Sequence, residues 1–202
     1  ALTKTRSRGL NLADTFAFTG TVSGTSDMNL LLNTTISSPI AEYDITSTYI
    51  NSSYNAYIVQ AEFLPVVDGV YFYSQVFVGG TIQTGSIYGR EMGAMSSSSY
   101  FNSNSATEFV LYNYSTVGNS TGEGITINAN LQNVNSTTRP CAITGTSTYF
   151  NTSGLPNNAF VGGTLLPANR ADVVNGLRFY GSAESGGNTI ASGTVKLYGL
   201  RT

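Results

Sequence analysis

The chain has 202 residues, 41% of them hydrophobic and only 10% charged, with a net charge of −2 and a pI near 5.0; that is enough to bury one sizeable core. The acidic balance, with no run of Lys or Arg among the aromatics of the folded region, argues against nucleic-acid binding, and no apolar run reaches the length of a membrane span. Histidine is absent and Cys141 stands alone, which removes Ser-His-Asp and Cys-His catalysis, His- or Cys-based metal sites and any intramolecular disulfide.

Ser, Thr and Asn make up about a third of the residues, so solubility rests on hydroxyls and amides rather than on charge. The 13 Tyr and 10 Phe separate the chain from disordered sequences. With Val, Ile and Thr they favour strands over helices.

Three of the nine basic residues, Lys4, Arg6 and Arg8, fall in the first eight positions. Residues 1–14 read as a basic arm that is either solvated or docked on an acidic partner. No signal peptide is expected, so synthesis is assigned to a cytoplasm. Residues 15–202 read as one β-sandwich domain.

In chain order, Thr15 to Ser23 alternates with period two and opens the strands. Ala56 to Leu64 and Val70 to Val78 flank Pro65 and the Asp68-Gly69 turn, which predicts a β-hairpin. Gly79 to Ser105, with its serine run Ser96 to Ser99, reads as a long surface loop suited to binding. Glu108 to Asn113 is the next strand. Gly124 to Gln132 alternates most cleanly, Ile125, Ile127, Ala129 and Leu131 inward and Thr126, Asn128 and Asn130 outward. Cys141 to Phe150, Phe160 to Leu166, Gly176 to Tyr180 and Gly193 to Tyr198 complete the strands. Asn169 to Val174 is the one helical turn expected, and Ser185-Gly186-Gly187-Asn188 is a turn. Eight to ten short strands with little helix predict an all-β antiparallel sandwich or jelly roll.

Little in this pattern carries chemistry. Gly162-Gly163 and Gly186-Gly187 lack the lysine and helix of a phosphate loop and read as turns. The Asn-x-Ser/Thr triplets at Asn33, Asn51, Asn113, Asn119, Asn135 and Asn151 are expected by chance in such a composition. Cys141 reads as a small buried hydrophobe. A carboxylate-pair glycosidase stays open, with Glu62, Asp68 and Glu91 as its members. Tyr88, Tyr100, Phe101, Tyr112 and Tyr114, with Arg90, flank polar loops; they either stack on sugar rings, line a subunit interface or pack loops onto the sandwich. No metal and no cofactor is expected.

Two blocks carry a family resemblance. Asn175-Gly-Leu-Arg-Phe-Tyr-Gly through Ala191-Ser-Gly-Thr-Val-Lys-Leu-Tyr-Gly-Leu-Arg201 resembles the ending of tailed-phage fibre and minor virion proteins. Tyr57-Ile-Val-Gln-Ala-Glu-Phe-Leu-Pro-Val-Val-Asp-Gly-Val-Tyr-Phe-Tyr-Ser-Gln-Val-Phe77 is similar to the same proteins. The resemblance implies a non-enzymatic virion-surface protein, a homotrimeric tail fibre or receptor-binding protein that contacts other virion proteins and a host-surface glycan. The alternative it leaves is a capsid-decorating protein or short head fibre held by Lys4, Arg6 and Arg8.

Overall fold

The computed structural model describes residues 28–94, 100–112, 115–182 and 190–201. Thirteen strands run through them: β1 (Met28–Ile36), β2 (Glu42–Ile45), β3 (Ala56–Pro65), β4 (Tyr71–Val78), β5 (Thr81–Ile82), β6 (Tyr88–Ala94) and β7 (Tyr100–Ala106). After them come β8 (Phe109–Val110), β9 (Ile125–Gln132), β10 (Ala142–Phe150), β11 (Pro156–Leu165), β12 (Val174–Ser182) and β13 (Ile190–Leu200). No α-helix occurs among the described residues, and Pro167–Asn169 forms a single 3-10 turn.

The strands form two sheets whose ladders are all antiparallel. One has eight strands in the order β1-β13-β3-β9-β10-β11-β6-β7; the other has the order β2-β12-β4-β5, with β8 also on β4. The chain crosses repeatedly between the sheets, so β3 and β13 pair in the larger while β4 and β12 pair in the smaller. The fold is an all-β sandwich.

Period-two patterning produces the layers. In β9, Ile125, Ile127, Ala129 and Leu131 are buried while Thr126, Asn128, Asn130 and Gln132 are exposed. From the larger sheet Tyr57, Val59, Phe63, Ile143 and Val161 point into the core, and from the smaller Phe72, Val76, Leu177 and Phe179 do so. Phe63 stacks on Phe72 at 5.7 Å between centroids and meets Phe179 at 5.5 Å, which locks the sheets face to face. Cys141 is buried in this core, as read from sequence.

Several expectations are corrected. Ala56 to Leu64 and Val70 to Val78 are strands but not a hairpin: β3 and β4 lie in different sheets. The Asp68-Gly69 turn is present, with Gly69 at φ 85°, yet residues 66–69 give enough chain to arch over the end of the sandwich. There the amides of Gly69 and Val70 bond to the Val117 carbonyl.

Gly79 to Ser105 is not one long loop. It contains β5, β6 and β7, with β6 on β11 and β7 on β6; a backbone ladder needs only N–H and C=O groups, so polar, Gly-rich sequence serves at a sheet margin. Among its described residues, Glu108 to Asn113 supplies the two residues of β8. The helical turn lies earlier than expected, at Pro167–Asn169, where Pro presets φ and Val174 already begins β12. Strands β1 and β2 were not expected. The arm 1–14, the strand Thr15 to Ser23 and the turn Ser185-Gly186-Gly187-Asn188 lie outside the described residues.

Candidate functional site

The outer face of the eight-stranded sheet is a registered array of hydroxyls and amides. One rung runs Asn33, Lys196, Gln60, Asn128, Thr146, Phe160 from β1 to β11. The next runs Thr35, Thr194, Glu62, Thr126, Thr148, Asn158, and Thr148 Oγ1 donates to Asn158 Oδ1 at 2.8 Å. A third runs Tyr198, Ile58, Asn130, Thr144, Gly162, Glu91. The array exists because β3, β9 and β10 turn alternate apolar residues inward, and what remains outside is Thr, Asn, Gln and Glu.

Two exposed aromatic rings stand on this face: Phe150, 39% exposed at the end of β10, and Phe160, 51% exposed on β11. Exposed apolar rings among in-plane hydrogen-bonding groups match the alternating apolar and hydroxyl faces of a sugar.

Depressions mark the face. A cleft of about 300 Å³ lies between Glu62, Glu123, Thr126, Thr148 and Phe150. A second, of about 240 Å³, shares Glu62 and Thr126 with it and adds Gln60, Asn128 and Lys196. A third, of about 340 Å³, lies at the other side of the sheet among Gly89, Glu91, Asn104, Gly162 and Thr164. The wall of the first is fixed by the turn before β9: Gly124 adopts φ 110°, where a Cβ would sit 2.7 Å from the Phe63 carbonyl oxygen, and the Ser120 amide donates to Glu123 Oε2 at 2.7 Å.

No family model matches the chain, and no curated protein matches it.

The smaller sheet has a different outer face, built from half-buried tyrosines. Tyr112 meets Tyr71 at 4.7 Å and Tyr73 edge-on at 5.4 Å, and Tyr73 stacks on Tyr180 at 5.5 Å. The Tyr73 and Tyr112 hydroxyls share a 3.1 Å hydrogen bond. Burial raises the phenol pKa of Tyr73, Tyr112 and Tyr180. Alongside, Arg178 Nε and Nη2 donate to Asp44 Oδ1 and Oδ2, both at 2.8 Å. Arg178 also reaches Glu42 at 2.8 Å and lies over the Phe77 ring at 5.5 Å.

The residues singled out from sequence distribute unevenly. Tyr112 belongs to the tyrosine face. Arg90 pairs with Glu108 at 2.7 Å, close enough to that face for both charges to act on Tyr73 and Tyr180. Tyr88 is a correction: it is 0% exposed, its ring edge-on to Phe109 at 4.8 Å and its hydroxyl donating to the Gln83 carbonyl at 2.7 Å while accepting from the Val76 amide. It points into the sandwich because β6 alternates there, and it offers nothing to a ligand. Tyr100 and Phe101 pair through their backbones with Gly93 and Met92, and their side chains lie outside the described residues. Lys4, Arg6, Arg8 and Tyr114 lie outside them too.

Glu62 and Glu91 do not come together as a carboxylate pair. Glu62 on β3 and Glu91 on β6 are separated by β9, β10 and β11, roughly 19 Å at the usual strand spacing, twice the separation a glycosidase uses. Asp68 sits in the arch before β4. Among the described residues no group of three or more His, Cys, Asp or Glu is placed to hold a metal ion, and no helix is long and apolar enough to cross a membrane. Phe150, Phe160 and the Thr144, Thr146, Thr148 row escaped notice in the sequence. The signal was there: in Cys141 to Phe150 the polar set of the alternation ends on a large aromatic.

Proposed function

We propose that this chain is a non-enzymatic structural protein of a tailed-phage virion, displayed on the particle surface as a homotrimer, and that it holds a host-surface glycan on the outer face of its eight-stranded sheet. The observation that carries the glycan reading is the pair of exposed rings, Phe150 and Phe160, standing in a registered array of hydroxyls and amides. A rigid central sheet presents these groups with their side-chain entropy already reduced, which favours weak contacts repeated over several copies.

The virion reading rests on the two resembling blocks, and their positions in the fold support it. Residues 57–77 supply β3 and most of β4, and residues 175–201 supply most of β12 and all of β13. β3 pairs with β13 and β4 with β12. Two blocks about a hundred residues apart therefore form one unit spanning both sheets, as expected if they were inherited together. The homotrimer rests on the resemblance.

The test is a map of the tagged protein on intact particles, combined with competition of host adsorption by the purified chain. Label at the tail with inhibited adsorption supports a receptor-binding fibre. Label over the head makes the chain a decoration protein, and absence from the particle overturns the virion reading. Sedimentation equilibrium at three chain masses is expected; a monomer overturns the trimer.

A further inference from the structure

We infer that the bound glycan is a linear, non-acidic chain that crosses the strands, lying from the Glu91–Gly162 cleft to the Glu62–Lys196 cleft. The inference rests on the glycan reading above and specifies its ligand. The two clefts lie on opposite sides of β10, one on β6 and β11, the other on β3, β9 and β13. A ligand aligned with the strands fills one cleft or the other, whereas a ligand that joins them must pass over Thr144 and Thr146.

The floor along that path is continuous. Glu91, Gly162, Thr144 and Asn130 are in register on four neighbouring strands, and Phe160, Thr146, Asn128 and Gln60 form the parallel rung beside them. Gly162 contributes no side chain, and an added Cβ would meet only the Glu91 carbonyl oxygen, at 3.7 Å, so a ring can rest on backbone there. From β6 to β13 the path spans five strand intervals, roughly 24 Å, a length for several linked sugars rather than one.

Charge narrows the class. Glu91 lines one cleft and Glu62 the other, with Glu123 in the adjoining cleft that shares Glu62, against the single ammonium of Lys196. Carboxylates at both ends repel uronic-acid or phosphate-bearing chains and accept neutral or amino-bearing ones.

The probe is a set of size-graded fragments of bacterial surface polysaccharides, disaccharide to decasaccharide, in neutral, amino-bearing and uronic-acid series, titrated calorimetrically against the full chain. Affinity is expected to rise about tenfold or more from the shortest to the longest non-acidic fragments as both clefts engage. Gly162→Ile, which plugs one end with a strand-favouring side chain, should remove that gain, so that affinity no longer rises with fragment length. Thr144→Ile, at an exposed position on the path between the two clefts, is the second variant should Gly162→Ile misfold, and it should flatten the same rise with fragment length. Equal affinity for short and long fragments overturns the crossing chain while glycan binding stands. Tightest binding of the uronic-acid series overturns the charge assignment, and no binding by any fragment overturns this inference together with the glycan reading.

Discussion

Phe63 of β3 and Phe72 of β4 lie nearly parallel across the sandwich, 10° between planes and 5.7 Å between centroids, although only eight residues separate them in the chain. The arch through Pro65 and Gly69 therefore does what a hairpin would not: it places consecutive strands in opposite sheets and brings their aromatics into the shared core. Both rings are almost wholly buried. Phe72→Ala should cost about 3–5 kcal/mol, read as a lower urea midpoint at unchanged slope. A loss below about 1 kcal/mol would show that the ring does not join the sheets.

Arg178 ties β12 to β2 through both oxygens of Asp44, with Glu42 as a second, more exposed partner. Because Asp44 and Glu42 are partly solvated, the pair is worth less than its geometry suggests. Arg178→Met should lower stability by about 1 kcal/mol, and the difference from the parent should shrink in high salt. Arg178→Lys should recover only part of it, since an ammonium cannot fork to both oxygens. Full recovery with Lys would make charge, and not bidentate geometry, the source.

The Tyr88 phenol, ordinarily near 10.0, is pushed up to about 12 by burial, against the opposing effect of its hydrogen bond to Val76. Between these values the unfolded chain has lost the proton that the folded chain keeps, so the unfolded state binds fewer protons and stability falls as pH rises. The contribution is complete below about pH 10 and is lost on the way to pH 12. Tyr73, Tyr112 and Tyr180 act in the same direction. Tyr88→Phe should be less stable at neutral pH, since the Gln83 carbonyl and Val76 amide lose their partner, but its stability should fall less steeply above pH 10. Urea titrations on either side of that pH check the slope, and an unchanged slope would exclude Tyr88 as a titrating group.

No cleavage of bound polysaccharide is expected. Prolonged incubation with the fragments that bind should release no new reducing ends. Release that disappears in Glu62→Gln or Glu123→Gln, the two carboxylates in one cleft, would replace the binding reading with a hydrolytic one.

Fold class was legible because alternation is local: the Ile125–Gln132 pattern states which side of β9 is buried without reference to any partner. Sheet membership was not. The Asp68-Gly69 turn announces a reversal, but nothing in it distinguishes a hairpin from an arch, which depends on where β13 and β12 arrive more than a hundred residues later. β1 escaped because three consecutive leucines and a shift in register between Leu30 and Leu32 break its period. β6 and β7 escaped because Gly and Ser hide a ladder made by the backbone alone. Of the residues picked by type, Tyr112 lies on the tyrosine face of the smaller sheet with Arg90 close by, away from Phe150 and Phe160, and Tyr88 is buried, since a tyrosine's place inside or outside depends on strand parity. The Arg178–Asp44 pair joins residues 134 apart, which no local signal anticipates.

The most direct test of the central claim is an array of bacterial surface glycans probed with the parent chain, with Phe150→Ser/Phe160→Ser on the outer face of the larger sheet, and with Tyr71→Ser on the opposite face. Binding by the parent and by Tyr71→Ser, lost in the double variant while its circular dichroism stays unchanged, is the expected result. Binding that survives in the double variant, or that vanishes with Tyr71→Ser in a folded protein, would contradict it.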